Sequence, residues 1–268
     1  MQLTIRHETV YRYTAPLTYT IQQLRLSPRS EPHQRVLSWH ISTPGRRNEF
    51  VDAYGNLSHM LTITGMHDEV RIIASGTVSV TPLDRGRLIE ISSLSPLVFT
   101  VPTRLAEPNE AIHAFARRHV PSGARSNELL ALAEAIRDIV AYRTGATAVT
   151  STAADALRLG EGVCQDHAHL FLACCHAQGI PGRYVSGYID PGTTAHAESH
   201  AWVDVWVEEV DFSGWVSIDV THARFANDSH CRLAIGRDYD SAAPVRGVRH
   251  GGGTESLSVQ VDVSPNQI

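Results

Sequence analysis

Cys164 follows Gly162 and Val163 and opens a segment, CQDHAHLFLACCHAQ, that reads as a helix stopped by Gly179 and Pro181. A cysteine in the first turn of a helix meets unpaired backbone N–H groups and the positive end of the macrodipole, and both favour a thiolate. An imidazolium neighbour acts in the same direction, and the thiolate is the reacting form in thiol catalysis. Position alone also fits a small buried residue.

Strand parity adds the partners such a thiol needs. In HAWVDVWV, His200, Trp202, Asp204 and Trp206 share one face; in GWVSIDV, Trp215, Ser217 and Asp219 share one face. With EEVDFSG as the connection, Val207 lies opposite Gly214 and His200 opposite Thr221, so His200 and Asp219 become diagonal neighbours. Diagonal pairs lie about 7–8 Å apart, within reach of a His–Asp contact, and a slip of a single residue would separate the faces. The expected set is Cys164 as nucleophile, His200 as base and Asp219 as the carboxylate that fixes the imidazole's tautomer and aim.

Other residues compete for these roles. His167 stands one helical turn after Cys164 and could touch the sulfur as a rival base, although no acid is evident to orient it. Asp166 and His169 fall on other faces and read as polar groups of the helix surface. A metal site drawn from Cys164, His167, Cys174, Cys175 and His176 lacks the ligand spacing of a tetrahedral zinc site, because Cys164 and Cys175 are about 16 Å apart along one helix axis. No metal is expected; Cys174 and Cys175 read as packing residues and Cys231 carries no assigned role.

The elements that must position these residues follow from periodicity. Residues 1–98 alternate apolar and polar side chains in short runs (LTIRHETVYRY, LSWHIST, HMLTITG, EVRIIASGTVSV, LIEISS) separated by turn residues, which predicts an antiparallel β-sandwich-like domain. From residue 99 the period changes. Ile112, Phe115 and Ala116 mark one helix, and Leu129, Leu130, Ala133, Ile136 and Val140 a second with Ser126 as N-cap. A third, short helix through ADALRL has Thr150 or Ser151 as its cap and ends at Gly160. After the Cys164 helix come strands RYVSGYI, HAWVDVWV and GWVSIDV, a loop at RGVRHGGGTE and a last strand, SLSVQVDV. The fold class is α+β, with residues 1–98 as the N-terminal domain and 99–268 as the core that carries the chemistry.

Bulk properties restrict the partners. The chain has 268 residues and a formal charge of -5, without an acidic or basic tract that would attract nucleic acid or an anionic membrane. The N-terminus lacks a basic segment followed by an apolar one, and no apolar run approaches the roughly 20 residues of a membrane span, so a cytoplasmic protein is expected. Four cysteines in a chain of this length do not make a disulfide scaffold.

GEGVCQDHAHLFLACCHAQGIPGRYVSGY, SHAWVDVWV and GWVSIDVTH, in that order, closely resemble the core of bacterial transglutaminase-like proteins, a family with the papain-type arrangement. YRYTAPLTYTIQQLRLSPR and VDAYGNL resemble its N-terminal β domain, and GRDYDSAAPVRGVRHGGGTESLSVQVDV its closing segment, so nearly the whole chain is covered. The resemblance implies a papain-like core of helices on an antiparallel sheet, a triad at Cys164, His200 and Asp219, and acyl transfer from an amide. Two departures stand out. The family usually has an aromatic residue where this chain has His167. It also has Asp-Pro-Thr-Asn where this chain has Asp219-Val220-Thr221-His222, so no proline restrains the backbone after Asp219.

The expected chemistry is attack of the Cys164 thiolate on a peptide or carboxamide carbonyl, with a protein or peptide as substrate and no cofactor. Water as acceptor makes a cysteine protease or deamidase, the first expectation; a lysine amine makes a cross-linking transamidase. An acetyl-transfer enzyme using a thioester donor and an inactive binding or scaffold module are the alternatives of other kinds. The oxyanion would meet the Cys164 backbone N–H and, as second donor, Tyr142.

Overall fold

The computed structural model describes residues 1–89, 94–121, 125–190, 192 and 199–265. The N-terminal part contains β1 (Gln2–Leu24), β2 (Gln34–Ser42), β3 (Arg46–Val51) and β4 (Leu57–Val80). Next come α1 (Glu110–His119), α2 (Ser126–Ile139), β5 (Ala141–Tyr142), α3 (Ala153–Leu159), β6 (Glu161–Gly162) and α4 (Cys164–Ala177). The remainder holds β7 (Gly182–Ile189), β8 (Ser199–Glu208), β9 (Ser213–Asp219), β10 (Arg224–Phe225), β11 (His230–Gly236), α5 (Tyr239–Ala242), β12 (Val245–Gly251) and β13 (Glu255–Pro265).

The separate short runs expected in the N-terminal region merge into two long strands. HMLTITG and EVRIIASGTVSV both belong to β4, which pairs antiparallel with β1 along almost its full length. Register shifts between Arg12 and Tyr19, opposite the turn-prone Gly65, bend the pair. Leu61 and Ile63 from one half of β4 then share a core with Val70, Ile72 and Ala74 from the other. The sandwich-like shape thus comes from a single six-stranded antiparallel sheet folded on itself. The run LIEISS lies largely outside the described residues.

A boundary at residue 98 does not divide the two sheets. β12 and β13 both pair with β1, so residues 245–265 complete the N-terminal sheet instead of the core. The segment read as the loop RGVRHGGGTE is β12 and the turn that follows it. A long-range partner decided this: alternating Gly and Arg residues carry little strand signal until β1 supplies a ladder.

The second sheet is antiparallel, in the order β10-β9-β8-β7-β11. Ala201, Val203, Val205 and Val207 of β8 pack against α1, α2 and α4 in the largest core. The opposite face carries buried charge: Asp204 accepts from Arg183 Nε at 2.8 Å and from Arg232 Nη2 at 2.6 Å, and Arg232 Nε lies 2.8 Å from Glu31 of the N-terminal region. This network ties the two sheets together. Helix ends follow the expected chemistry with small shifts. Thr152, not Thr150 or Ser151, caps α3 in a capping box with Asp155, and Gly160 closes it in the left-handed region. Ser126 is the first residue of α2 and not its N-cap; its N–H donates to Glu209 Oε1 at 2.8 Å.

Candidate active site

Cys164 is the first residue of α4, so its N–H lies outside the intrahelical ladder. Asp166, at the third helical position, accepts from the Val163 N–H at 2.8 Å and from Thr147 Oγ1 at 2.6 Å, which locks the turn entering the helix. Gly162 is required by that closeness: a Cβ there would stand 2.7 Å from Asp166 Cβ. Asp166 and His169 are buried, contrary to the surface positions expected from helical spacing, because α4 is enclosed on nearly every side. His169 instead accepts the Tyr239 N–H.

Register brings His200 and Asp219 together. Val207 pairs with Gly214 as expected, and the β8–β9 ladder ends at Val203–Ile218, leaving His200 just beyond its last pair. His200 stands beside Cys164 in the lining of one cleft, and on its other side its Nε2 lies 3.0 Å from Asp219 Oδ1. The latter is a close ionic contact and not a well-aligned hydrogen bond. Burial opposes charge on His200, but Asp219 and the Cys164 contact outweigh it, raising its pKa to about 10. Burial likewise opposes the charged form of Asp219; His200 and the hydrogen bonds around the carboxylate overcome this and hold its pKa well below the usual range.

Asp219 is fully buried and gathers three imidazoles. Its Oδ2 accepts from His222 Nδ1 at 2.6 Å and His230 Nε2 at 3.0 Å, and its Oδ1 accepts from the His222 backbone N–H at 3.3 Å. These donors aim the carboxylate where the backbone lacks a proline. His230 was not anticipated. It opens the strand HCRLAIG, and a histidine heading an apolar run was the only signal available.

His167 is placed elsewhere than against the sulfur. Its Nδ1 meets Thr221 Oγ1 at 3.0 Å and its Nε2 donates to the Val140 carbonyl at 2.9 Å. Burial lowers its pKa, partly offset by Val140. Tyr142 reaches the site: it pairs with Gly162 in the short β5–β6 ladder, is half-exposed and lines the same cleft as Cys164 and His200. Of the four free cysteines only Cys164 is partly exposed; Cys174, Cys175 and Cys231 are buried, which pushes their thiols up. Among the described residues, His200, Asp219 and His222 form the one group whose donor atoms lie within 4.8 Å of one another and could hold a metal ion.

The comparisons agree with this architecture. Residues 3–79 match the bacterial transglutaminase-like N-terminal region, and residues 114–220 match the transglutaminase-like superfamily. The chain belongs to the transglutaminase-like superfamily. An uncharacterised protein of Mycobacterium leprae is similar to this transglutaminase-like chain at 32% identity, covering 98% of each sequence. One from Mycobacterium tuberculosis is 28% identical over 97% of this chain and 92% of its own. A crystal structure from Cytophaga hutchinsonii, described as that of a "putative cysteine protease", superposes with a TM-score of 0.79 at 22% identity, over 98% of this chain and 90% of the other. At that identity the likeness speaks to the fold.

Proposed function

We propose that this transglutaminase-like protein is a thiol amide hydrolase, a cysteine protease or deamidase, working through Cys164, His200 and Asp219. The observation that carries the reading is the chain of contacts from a helix-start thiol to His200 and on to a buried carboxylate, opening on a cleft of about 280 Å³. The Cys164 sulfur attacks the amide carbonyl, and the oxyanion is met by the Cys164 N–H and the Tyr142 hydroxyl. His200, protonated by the thiol, gives that proton to the leaving amine as the C–N bond breaks, leaving a thioester. Water then attacks the thioester while His200 takes its proton, and the acid and free thiol are released. A lysine amine in place of water gives the transamidase reaction.

Two measurements test this. Iodoacetamide at mildly acid pH should label Cys164 much faster than Cys231; equal rates would remove the activated thiol and favour a binding module. Mass spectrometry of the protein after exposure to peptide and glutaminyl substrates should show an acyl adduct on Cys164. Its discharge by water or by an added amine separates hydrolysis from cross-linking, and acylation by a coenzyme A thioester alone would favour acetyl transfer.

A further inference from the structure

The cleft is walled by strands of the N-terminal sheet. On β1, Leu3, Ile5, His7, Thr9 and Tyr11 fall on one face by parity. Its first two residues pack against Tyr188, Cys231 and Leu233 of the catalytic sheet, and the last three line the cleft beside Cys164 and His200. β13 repeats the arrangement in register. Val263 and Val261, opposite Ile5 and His7, are buried in the same contact, whereas Val259 and Leu257, opposite Thr9 and Tyr11, reach the cleft and stay 49% and 55% exposed. One two-stranded face therefore seals the interface at one end and leaves an apolar wall over the thiol at the other.

That wall is continued by Tyr239 and Val245, and among the described residues the cleft has no Asp, Glu, Lys or Arg side chain in its lining. His7 adds no charge: it is buried, bonded to the Tyr188 hydroxyl and Thr9 Oγ1 at 2.8 Å each, and burial lowers its pKa to about 4. Among the described residues the one cation of the lining, His200, is already paired with Asp219, so a charged side chain entering such a space would lose hydration without a free partner, whereas an apolar one would cover Leu257 and Val259. Resting on the amide-hydrolase reading, we propose that the enzyme takes peptides with a bulky uncharged apolar side chain next to the attacked amide, and that β1 and β13 of the N-terminal sheet read that side chain.

Acetylated peptide chloromethyl ketones test this through the thiol alone, since the sulfur displaces chloride and the adduct is read by mass. Leucine or phenylalanine ketones should label Cys164 at least about 10-fold faster than aspartate or lysine ones. In Leu257→Asp and Val259→Asp, with each rate divided by the iodoacetamide rate of the same variant, the apolar advantage should shrink and the lysine ketone should gain. Equal rates across the ketones, or a uniform change in both variants, would overturn the proposal. A protein that prefers apolar ketones yet cleaves no amide would lose the hydrolase reading and keep the preference; amide turnover without preference would do the reverse.

Discussion

His230 heads β11, which is separated from β9 by both β7 and β8 in the sheet, yet its Nε2 donates to Asp219 Oδ2 at 3.0 Å. The backbone N–H of Asn227 donates to the other ring nitrogen at 3.3 Å, which leaves the proton on Nε2 for the carboxylate. Burial keeps this imidazole's pKa low despite Asp219, so it serves as a neutral donor.

Replacing His230 by Leu leaves a buried carboxylate one donor short. The expected cost is about 1.5–3 kcal/mol of stability, read from urea unfolding at neutral pH. Turnover should fall with it, and His230→Gln should restore part of both; an unchanged unfolding midpoint in the leucine variant would show that Asp219 does not depend on this bond.

The two imidazoles near the thiol should separate cleanly. His200→Ala removes the imidazole that lies between Cys164 and Asp219 and should lower turnover by about 10²-fold or more. His167→Ala breaks contacts to Thr221 and Val140 and should cost stability more than turnover. Retained turnover in the His200 variant would transfer the base to another residue.

Linkage gives a pH signature. The His200 pKa is raised on folding, to about 10, so its contribution to stability is complete below its unfolded value of about 6.5, declines as pH rises and is lost above about 10. The Asp219 pKa is depressed, so its contribution is present above the ordinary carboxylate value of about 3.9 and is lost as pH falls below it. Urea midpoints of the wild type should therefore decline between about pH 6.5 and 10. His200→Gln should flatten that slope, and parallel profiles for the two proteins would remove His200 as its source.

The charge network between the sheets is a structural joint. Asp204→Ala takes the carboxylate from two buried guanidiniums, Arg183 and Arg232, and should destabilise the fold by about 3–5 kcal/mol, measured as a drop in Tm. Asp204→Asn should recover a part of this, since the amide oxygen still accepts from one arginine. A Tm within a degree or two of wild type in the alanine variant would show that the network contributes little.

Much of the site was legible because it is local or nearly so. A cysteine after Gly162 at a helix start is written in consecutive residues, and the His200 and Asp219 parity follows from two strands joined by a short hairpin, where turn length and burial leave one register. Asp166 and His169 were misplaced because helical spacing names a face but not what covers it, and α4 is covered on almost all sides. The LIEISS run falls largely outside the described residues.

The sequence by itself determined the α+β order of elements, the place of Cys164 at a helix start and which side chains could meet across one hairpin, since each depends on neighbours a few residues apart. Only the tertiary structure decided that β12 and β13 return to β1 across some 240 residues of chain, that His230 crosses to Asp219, and that β1 and β13 wall the cleft. Those contacts are chosen by the burial of whole faces against one another, a quantity that no local pattern of residues contains.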